Sequence, residues 1–293
     1  MNQSDGSSYR LVGVVGAGTM GSGIAYQVAS ALECRVLVCD LDEAALSRGR
    51  ALIDKQGQGT VSRGKASSED VERWLGRIQF EVGLEGLAEA DVVVEAVFED
   101  LDVKRATFTQ LDHICQPSVL LASNTSGLSI TAIAAATERP ERVIGTHFFN
   151  PVPAMKLVEV VRGLRTSEDT ATRAEAFCRA LGKEVCSVRD FPGFVTTRIG
   201  QALIAEAIRC LEQGVADAEN IDRGVKLAYN YPLGPLELAD LIGLDVELHI
   251  LDSLSKELGE RFLPSPLLRR LVAAGRLGRK SGGGFYELEA AHA

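Results

Sequence analysis

The sequence predicts a doubly wound α/β domain followed by an all-helical one, and three observations carry that prediction. From Arg10 to about Arg189, short continuous apolar runs rich in β-branched residues alternate with stretches patterned as helices. Beyond Asp190-Phe191-Pro192-Gly193 no strand-like run recurs until Gly284-Phe285-Tyr286. The chain has 293 residues, about twice the ~150 that serve as a prior for one domain. The border is placed at 189, giving domains 1–189 and 190–293.

Leu11-Val12-Gly13-Val14-Val15, Arg35-Val36-Leu37-Val38-Cys39 and the run from Asp91 to Val97 are the first three strands. Val119-Leu120-Leu121-Ala122 and the run from Arg142 to Phe149 are two more, and Met155 to Val161 is a further extended run. Strands apolar on both faces belong to a parallel sheet covered by helices on each side. Between the first two strands, Met20, Ile24, Val28, Ala31 and Leu32 recur at helical spacing. Glu43 to Gln79 reads as one long charged helical stretch, weakened in its middle by Gly57, Gly59 and Gly64. After the border, Phe194 to Glu212 reads as one helix closed by Gly214. Val195, Ile199 and Leu203 form one apolar stripe on it and Ile204, Ile208 and Leu211 another. Two stripes imply burial on more than one side, against the first domain and a second subunit. Tyr231-Pro232-Leu233-Gly234-Pro235 breaks the chain, and helices continue through Leu271.

Composition narrows the function classes. Hydrophobic residues make up 46% and charged residues 24%, a globular balance that argues against a disordered or fibrous chain. Lysine plus arginine total 31 against 40 aspartates and glutamates, a formal charge of −9. That sign disfavours nucleic acid and anionic membrane as partners, while a small anionic cofactor needs only a few local cations. The six cysteines are scattered, with neither a C-x-x-C pair nor metal-ligand spacing. They read as reduced thiols of a cytoplasmic protein without a metal site. The polar start from Met1 to Arg10 shows no signal-peptide pattern, and no run approaches the ~20 apolar residues of a membrane span.

Gly16-Ala17-Gly18-Thr19-Met20-Gly21 fits G-x-G-x-x-G, follows the first strand and opens the first helix. That context is what a dinucleotide fingerprint requires. The first glycine permits a tight turn, the second lets backbone approach a pyrophosphate, and the third lets helix and strand pack closely. Asp40 ends the next strand, about twenty residues on, where a carboxylate binds ribose hydroxyls. It would repel a 2′-phosphate, so NAD is favoured over NADP, with FAD the competitor that the loop alone does not exclude.

His147 lies late in the last clear apolar strand of the first domain, and Glu159 shares a strand face with Leu157 and Val161. A carboxylate on an apolar face needs a partner, at a cost of ~3–5 kcal/mol if none is found. A histidine is the simplest one, held by the carboxylate in one tautomer and made more basic. The alternative is a core histidine bonded to backbone and a glutamate at a strand end.

Ser123-Asn124-Thr125-Ser126, Thr146-His147-Phe148-Phe149-Asn150-Pro151-Val152-Pro153 and Lys156-Leu157-Val158-Glu159-Val160 resemble the L-3-hydroxyacyl-CoA dehydrogenase family. So do Pro192-Gly193-Phe194, Tyr231-Pro232-Leu233-Gly234-Pro235 and the run from Gly278 to Tyr286, in the family's order over nearly the whole chain. The resemblance implies a Rossmann-type NAD domain, a helical domain that forms a homodimer, an acyl-CoA thioester substrate and a place in fatty acid or butanoate metabolism. It makes His147 the general base for the 3-hydroxyl, Glu159 its orienting residue, and Ser126 a bond to the substrate oxygen. It adds Glu99, Lys104, Ser126, Asn150 and Lys280 to the cofactor contacts. Read without the resemblance, Glu99 and Lys104 are a solvated helix-end pair and Ser126 a helix N-cap.

Two departures stand out. Thr197 occupies the place, four residues after Gly193, where the family has an active-site asparagine. The family's coenzyme A positions carry Gln56 and Arg63. The alternatives are the same chemistry on a carrier-protein-bound or altered hydroxyacyl group, or a non-catalytic NAD-binding protein on this fold.

Overall fold

The computed structural model describes residues 9–287, so the polar start at residues 1–8 lies outside the described residues. The chain divides into two compact units, one ending at Phe191 and the other starting at Pro192. The border expected at 189 falls at the end of the last strand.

The first unit is built on eight strands: β1 (Leu11–Val15), β2 (Arg35–Asp40), β3 (Ile78–Val82), β4 (Val92–Glu95), β5 (Leu120–Ser123), β6 (Val143–Phe148), β7 (Leu157–Arg162) and β8 (Glu184–Arg189). They form one sheet in the order β3-β2-β1-β4-β5-β6-β7-β8. β1, β2, β4, β5 and β6 pair in parallel with their neighbours, as their two-sided apolar character predicts. The β6–β7 pair departs from this and runs antiparallel. Only the short connection from Phe149 to Lys156 joins those strands, too short for the crossover that a parallel pair requires.

Helices α1 (Thr19–Ala31), α2 (Glu43–Ser62), α3 (Ser68–Leu75), α4 (Leu101–Ile114), α5 (Ile130–Ala134) and α6 (Glu168–Ala180) accompany the sheet. Most start at capping side chains that the sequence supplies: Asp42, Ser67, Asp100, Ser129 and Ser167 each accept a first-turn N–H. The core joins Val12, Val14 and Ile144 of the strands to Ile24, Val28, Leu46 and Phe177 of the helices, all essentially fully buried.

The stretch expected as one helix from Glu43 to Gln79 is instead α2, a left-handed turn at Gly64 (φ +64°), α3 and then β3. β3 and β8 lie at the two edges of the sheet and are only partly buried. Edge strands keep polar residues such as Gln79, Glu81 and Glu184, so they lack the apolar run that marks a central strand. The segment at Gly284-Phe285-Tyr286 forms isolated bridges, Gly283 with Gly278 and with Glu287, and not a strand.

The second unit is helical: α7 (Thr196–Glu212), α8 (Ala218–Tyr229), α9 (Pro235–Ile242), α10 (Leu244–Leu258) and α11 (Pro266–Ala273). Its core gathers Ile204, Ile208, Leu236, Leu244, Leu251, Leu254, Phe262 and Leu268. Of the two stripes on α7, the one with Ile204 and Ile208 is buried, whereas Ile199 on the other is exposed. No helix among the described residues is long and apolar enough to cross a membrane.

Candidate active site

Ligands of an open parallel sheet gather at the carboxyl ends of its strands, and here the glycine loop leaves β1 at that edge. Gly16 has φ +102°, and a β-carbon there would lie 2.6 Å from the Ala96 carbonyl oxygen. Only glycine tolerates both conditions. At Gly21 a β-carbon would fall 1.8 Å from the Gly16 carbonyl oxygen, so this glycine lets α1 begin close to β1. At Gly18 a β-carbon would meet nothing within 4 Å, which leaves room above the loop. No side chain caps the N-terminus of α1 and its first turn, from Thr19 and Met20 onward, holds no acid. Its N–H groups and the positive end of its dipole are therefore offered to an anion.

Asp40 closes β2. Its Oδ2 accepts the Ala17 N–H at 2.7 Å and its Oδ1 the Leu41 N–H at 2.7 Å. Each oxygen retains a second lone pair for a ribose hydroxyl. Beyond the ends of β2 and β4, Leu41 and Phe98 are 91% and 87% exposed, apolar surfaces at the same edge on which a flat ring can lie. The loop, the uncapped helix and the acid together fit a dinucleotide.

The loop after β4 carries Glu99, and the loop after β5 carries Ser126. Glu99 Oε1 accepts the Thr125 hydroxyl at 2.5 Å and the Ser126 N–H at 2.9 Å. Ser126 is exposed and is not a helix N-cap, because Ser129 caps α5. Lys104 is not a solvated partner of Glu99: it is fully buried in the first turn of α4, with Nζ 2.7 Å from Glu95 Oε1 and 3.3 Å from Glu99 Oε2. The reading as a surface pair failed because it treated Lys104 as facing outward, whereas a carboxylate inside β4 draws it inward.

His147 and Glu159 stand directly opposite each other on the antiparallel strands β6 and β7. Residues opposite in such a pair bring their side chains together on one face. His147 Nδ1 lies 2.8 Å from Glu159 Oε2, and both side chains are buried. The Phe149 ring sits 4.4 Å from the imidazole, centroid to centroid, tilted by 47°. Asn124 Oδ1 accepts the Phe148 N–H at 2.9 Å, tying the loop after β5 to the strand that carries His147. Asn150 is exposed at the start of the β6–β7 connection. That connection is anchored by buried Lys183, whose Nζ donates to the carbonyls of Val152 at 2.6 Å and Met155 at 2.9 Å. Burial among neutral acceptors holds its ammonium below the ordinary lysine value.

The first unit thus brings together the glycine loop, Asp40, Glu99, Ser126, Asn150, His147 and Glu159 at one edge of the sheet. Thr197 and Lys280 belong to the second unit. Thr197 lies in the first turn of α7, and Lys280 Nζ is 2.7 Å from Asp245 Oδ2 on the surface. Gln56 lies on α2 and Arg63 follows its end. Four of the six free cysteines are buried, and desolvation pushes their thiols up, Cys34 and Cys115 to about 11 and Cys39 and Cys178 to about 12. They do not act as nucleophiles at neutral pH. Sequence reasoning missed Glu95, Asn124 and Thr125. Glu95 carries the same signal as Glu159, a carboxylate inside an apolar strand.

Residues 11–191 match the family model described as the NAD binding domain of 3-hydroxyacyl-CoA dehydrogenase, and residues 193–288 match that of its C-terminal domain. The chain is 49% identical over 277 residues to a probable 3-hydroxybutyryl-CoA dehydrogenase of Bacillus subtilis, covering 94% of this chain and 96% of that one. It is 45% identical over 278 residues to the 3-hydroxybutyryl-CoA dehydrogenase of Mycobacterium tuberculosis, covering 94% and 97%. The crystal structure of (S)-3-hydroxybutyryl-CoA dehydrogenase from Ralstonia eutropha is similar with a TM-score of 0.92 and 43% identity, covering 97% of this chain and 100% of that one.

Proposed function

The chain belongs to the 3-hydroxyacyl-CoA dehydrogenase family, and from that premise we propose that it interconverts a short (S)-3-hydroxyacyl-CoA, of the 3-hydroxybutyryl-CoA kind, with its 3-ketoacyl-CoA, using NAD. The observation that carries this reading is the buried bond of 2.8 Å between His147 Nδ1 and Glu159 Oε2 at the carboxyl edge of a dinucleotide-type sheet. A carboxylate accepts, so this bond keeps the proton on Nδ1 and leaves the Nε2 lone pair as the base. In the oxidation, Nε2 takes the proton of the 3-hydroxyl, and Glu159 stabilises the imidazolium that results. In the reduction, the imidazolium returns that proton, and the Ser126 hydroxyl helps to bind the ketone oxygen as charge develops on it. NAD supplies the hydride acceptor at the reacting carbon when bound. The glycine loop and α1 N-terminus would hold its phosphates and Asp40 its ribose, and Glu99, Ser126 and Asn150 would line the crevice at the carboxyl ends of the strands. Oxidation of NADH by acetoacetyl-CoA, followed by absorbance, tests the reading. NADH binding without turnover would favour a non-catalytic role or an altered acyl group.

Asp40 sets the cofactor preference. The parent is expected to use NADH with a clearly higher kcat/KM than NADPH, and Asp40→Ala to weaken NADH and narrow the difference. Equal kcat/KM for the two cofactors in the parent would overturn this assignment.

Thr197 tests the departure from the family. A threonine hydroxyl in place of an amide still donates one hydrogen bond, worth ~0.5–1.5 kcal/mol net. Thr197→Val is therefore expected to be slower by up to about tenfold and Thr197→Asn to be tolerated. Steady-state kinetics with acetoacetyl-CoA on the three proteins decides this. A Thr197→Val that matches the parent removes the hydroxyl from the substrate contacts.

The second unit is also assigned a homodimer interface. This is supported by its exposed apolar side chains, with Ile199 on α7 at 65% and Leu227 and Tyr229 on α8 at 79% and 66% exposure. Sedimentation at micromolar concentration is expected to show a dimer, and a monomer there contradicts the assignment. The scattered free cysteines support a cytoplasmic setting.

A further inference from the structure

Three strands end side by side at Glu95. The register pairs it with Val15 of β1, just before the glycine loop, and with Ser123 of β5. Its carboxylate is fully buried and takes three donors. Oε1 accepts Lys104 Nζ and the Val97 N–H, each at 2.7 Å, and Oε2 accepts the Ser123 hydroxyl at 2.6 Å. Its backbone carbonyl accepts the Asn124 N–H at 2.7 Å.

Lys104 is equally buried. Its ammonium faces Glu95 Oε1, the Val97 carbonyl at 3.3 Å and Glu99 Oε2 at 3.3 Å. Glu95 Oε1 and the Val97 carbonyl accept hydrogen bonds from it, and the Glu99 carboxylate stands beside it as an ion pair. Of the two carboxylates that Lys104 faces, Glu99 is the half-exposed one, with its side chain 44% exposed. The contacts close a ring: Ser123 to Glu95, Glu95 to Lys104, Lys104 to Glu99, and Glu99 back to Thr125 and Ser126. A buried ion pair is weak evidence for a contribution to stability, because an apolar pair of similar volume often serves as well. What an apolar pair cannot do is orient a third, half-exposed carboxylate.

We propose that Glu95 is a positioning residue of the cofactor site, holding Lys104 inside the sheet so that Lys104 fixes the Glu99 carboxylate and the turn from Ser123 to Ser126 in the crevice. This rests on the dinucleotide reading of that crevice.

The test uses the full-length protein with NADH titrated by fluorescence and thermal melting in parallel. Titration of the parent comes first, and an absence of binding there overturns the cofactor reading itself, before any variant bears on Glu95. Glu95→Gln and Lys104→Met, which each leave one charge buried alone, are expected to melt lower and to bind NADH at least about tenfold more weakly. The double variant Glu95→Leu/Lys104→Met removes both charges. It is expected to regain most of the melting temperature while NADH stays about tenfold weaker. A double variant that regains parental NADH affinity overturns the proposal, because the pair is then only structural. Ser123→Ala removes one neutral donor and keeps the ion pair, so it reads out the ring if the charge variants fail to fold. It is expected to raise KM for NAD about threefold or more with kcat little changed, and an unchanged KM overturns the proposal.

Discussion

His147→Ala is expected to lose at least 10²–10⁴-fold in kcat for acetoacetyl-CoA reduction, the scale of general acid–base catalysis, while still binding NADH. The reasoning is geometric. The antiparallel register sets His147 opposite Glu159, and the 2.8 Å bond from Nδ1 commits that nitrogen to the carboxylate. The proposed base is then Nε2. His147→Ala also deprives a buried carboxylate of this bond, so a change in folding could be mistaken for a change in chemistry. His147→Gln separates the two, because its amide can still donate to Glu159 yet cannot act as a base. Both variants should lose turnover, and only His147→Ala should melt markedly lower. Glu159→Gln is expected to slow the reaction as well, since an amide no longer selects one tautomer of the imidazole. A His147→Gln variant with parental kcat would remove the histidine from the chemistry.

Replacing Glu247 by leucine is expected to stabilise the second unit by about 3 kcal/mol at pH 8 and by little at pH 4.5. Glu247 lies on α10 with no exposed surface, and among the described residues neither of its carboxylate oxygens has a well-formed hydrogen bond. Burial pushes its pKa from 4.5 to about 7, and the neighbouring Gln201 amide offsets little of that. Below pH 4.5 the carboxyl is neutral in both folded and unfolded chains and costs nothing. Between pH 4.5 and about 7 the unfolded chain releases the proton and the folded one retains it. Stability therefore falls with rising pH across this window and levels off above it. Urea midpoints followed by circular dichroism at several pH values check this. The parent should weaken through the window, and Glu247→Leu should lose that part of the slope. Equal slopes would show that Glu247 does not set it.

Much of the first unit was legible because its signals are local. β1, β2 and β4 to β6 are continuous apolar runs, and the strand–glycine loop–helix order with Asp40 beyond it is written in a few dozen consecutive residues. The edge strands β3 and β8 were not legible, because a strand exposed on one side keeps polar residues and resembles a loop or a charged helix. Glu159 was found by asking what a carboxylate does inside an apolar strand. The same question put to Glu95 would have found the buried ring that the surface reading of Glu99 and Lys104 passed over.

The sequence by itself determined the fold class and marked the glycine loop and Asp40 as the candidate cofactor site, since periodicity, turn chemistry and short spacings are properties of neighbouring residues. Only the tertiary structure decided which buried charges meet. The β6–β7 register places His147 against Glu159, and the packing of α4 on the sheet turns Lys104 inward to Glu95, while Glu247 is buried with the Gln201 amide as the one group among the described residues that offsets its desolvation. The physical reason is that desolvation makes the pairing of a charge matter most where it is buried. Which side chains share that buried space is set by contacts between segments far apart in the chain.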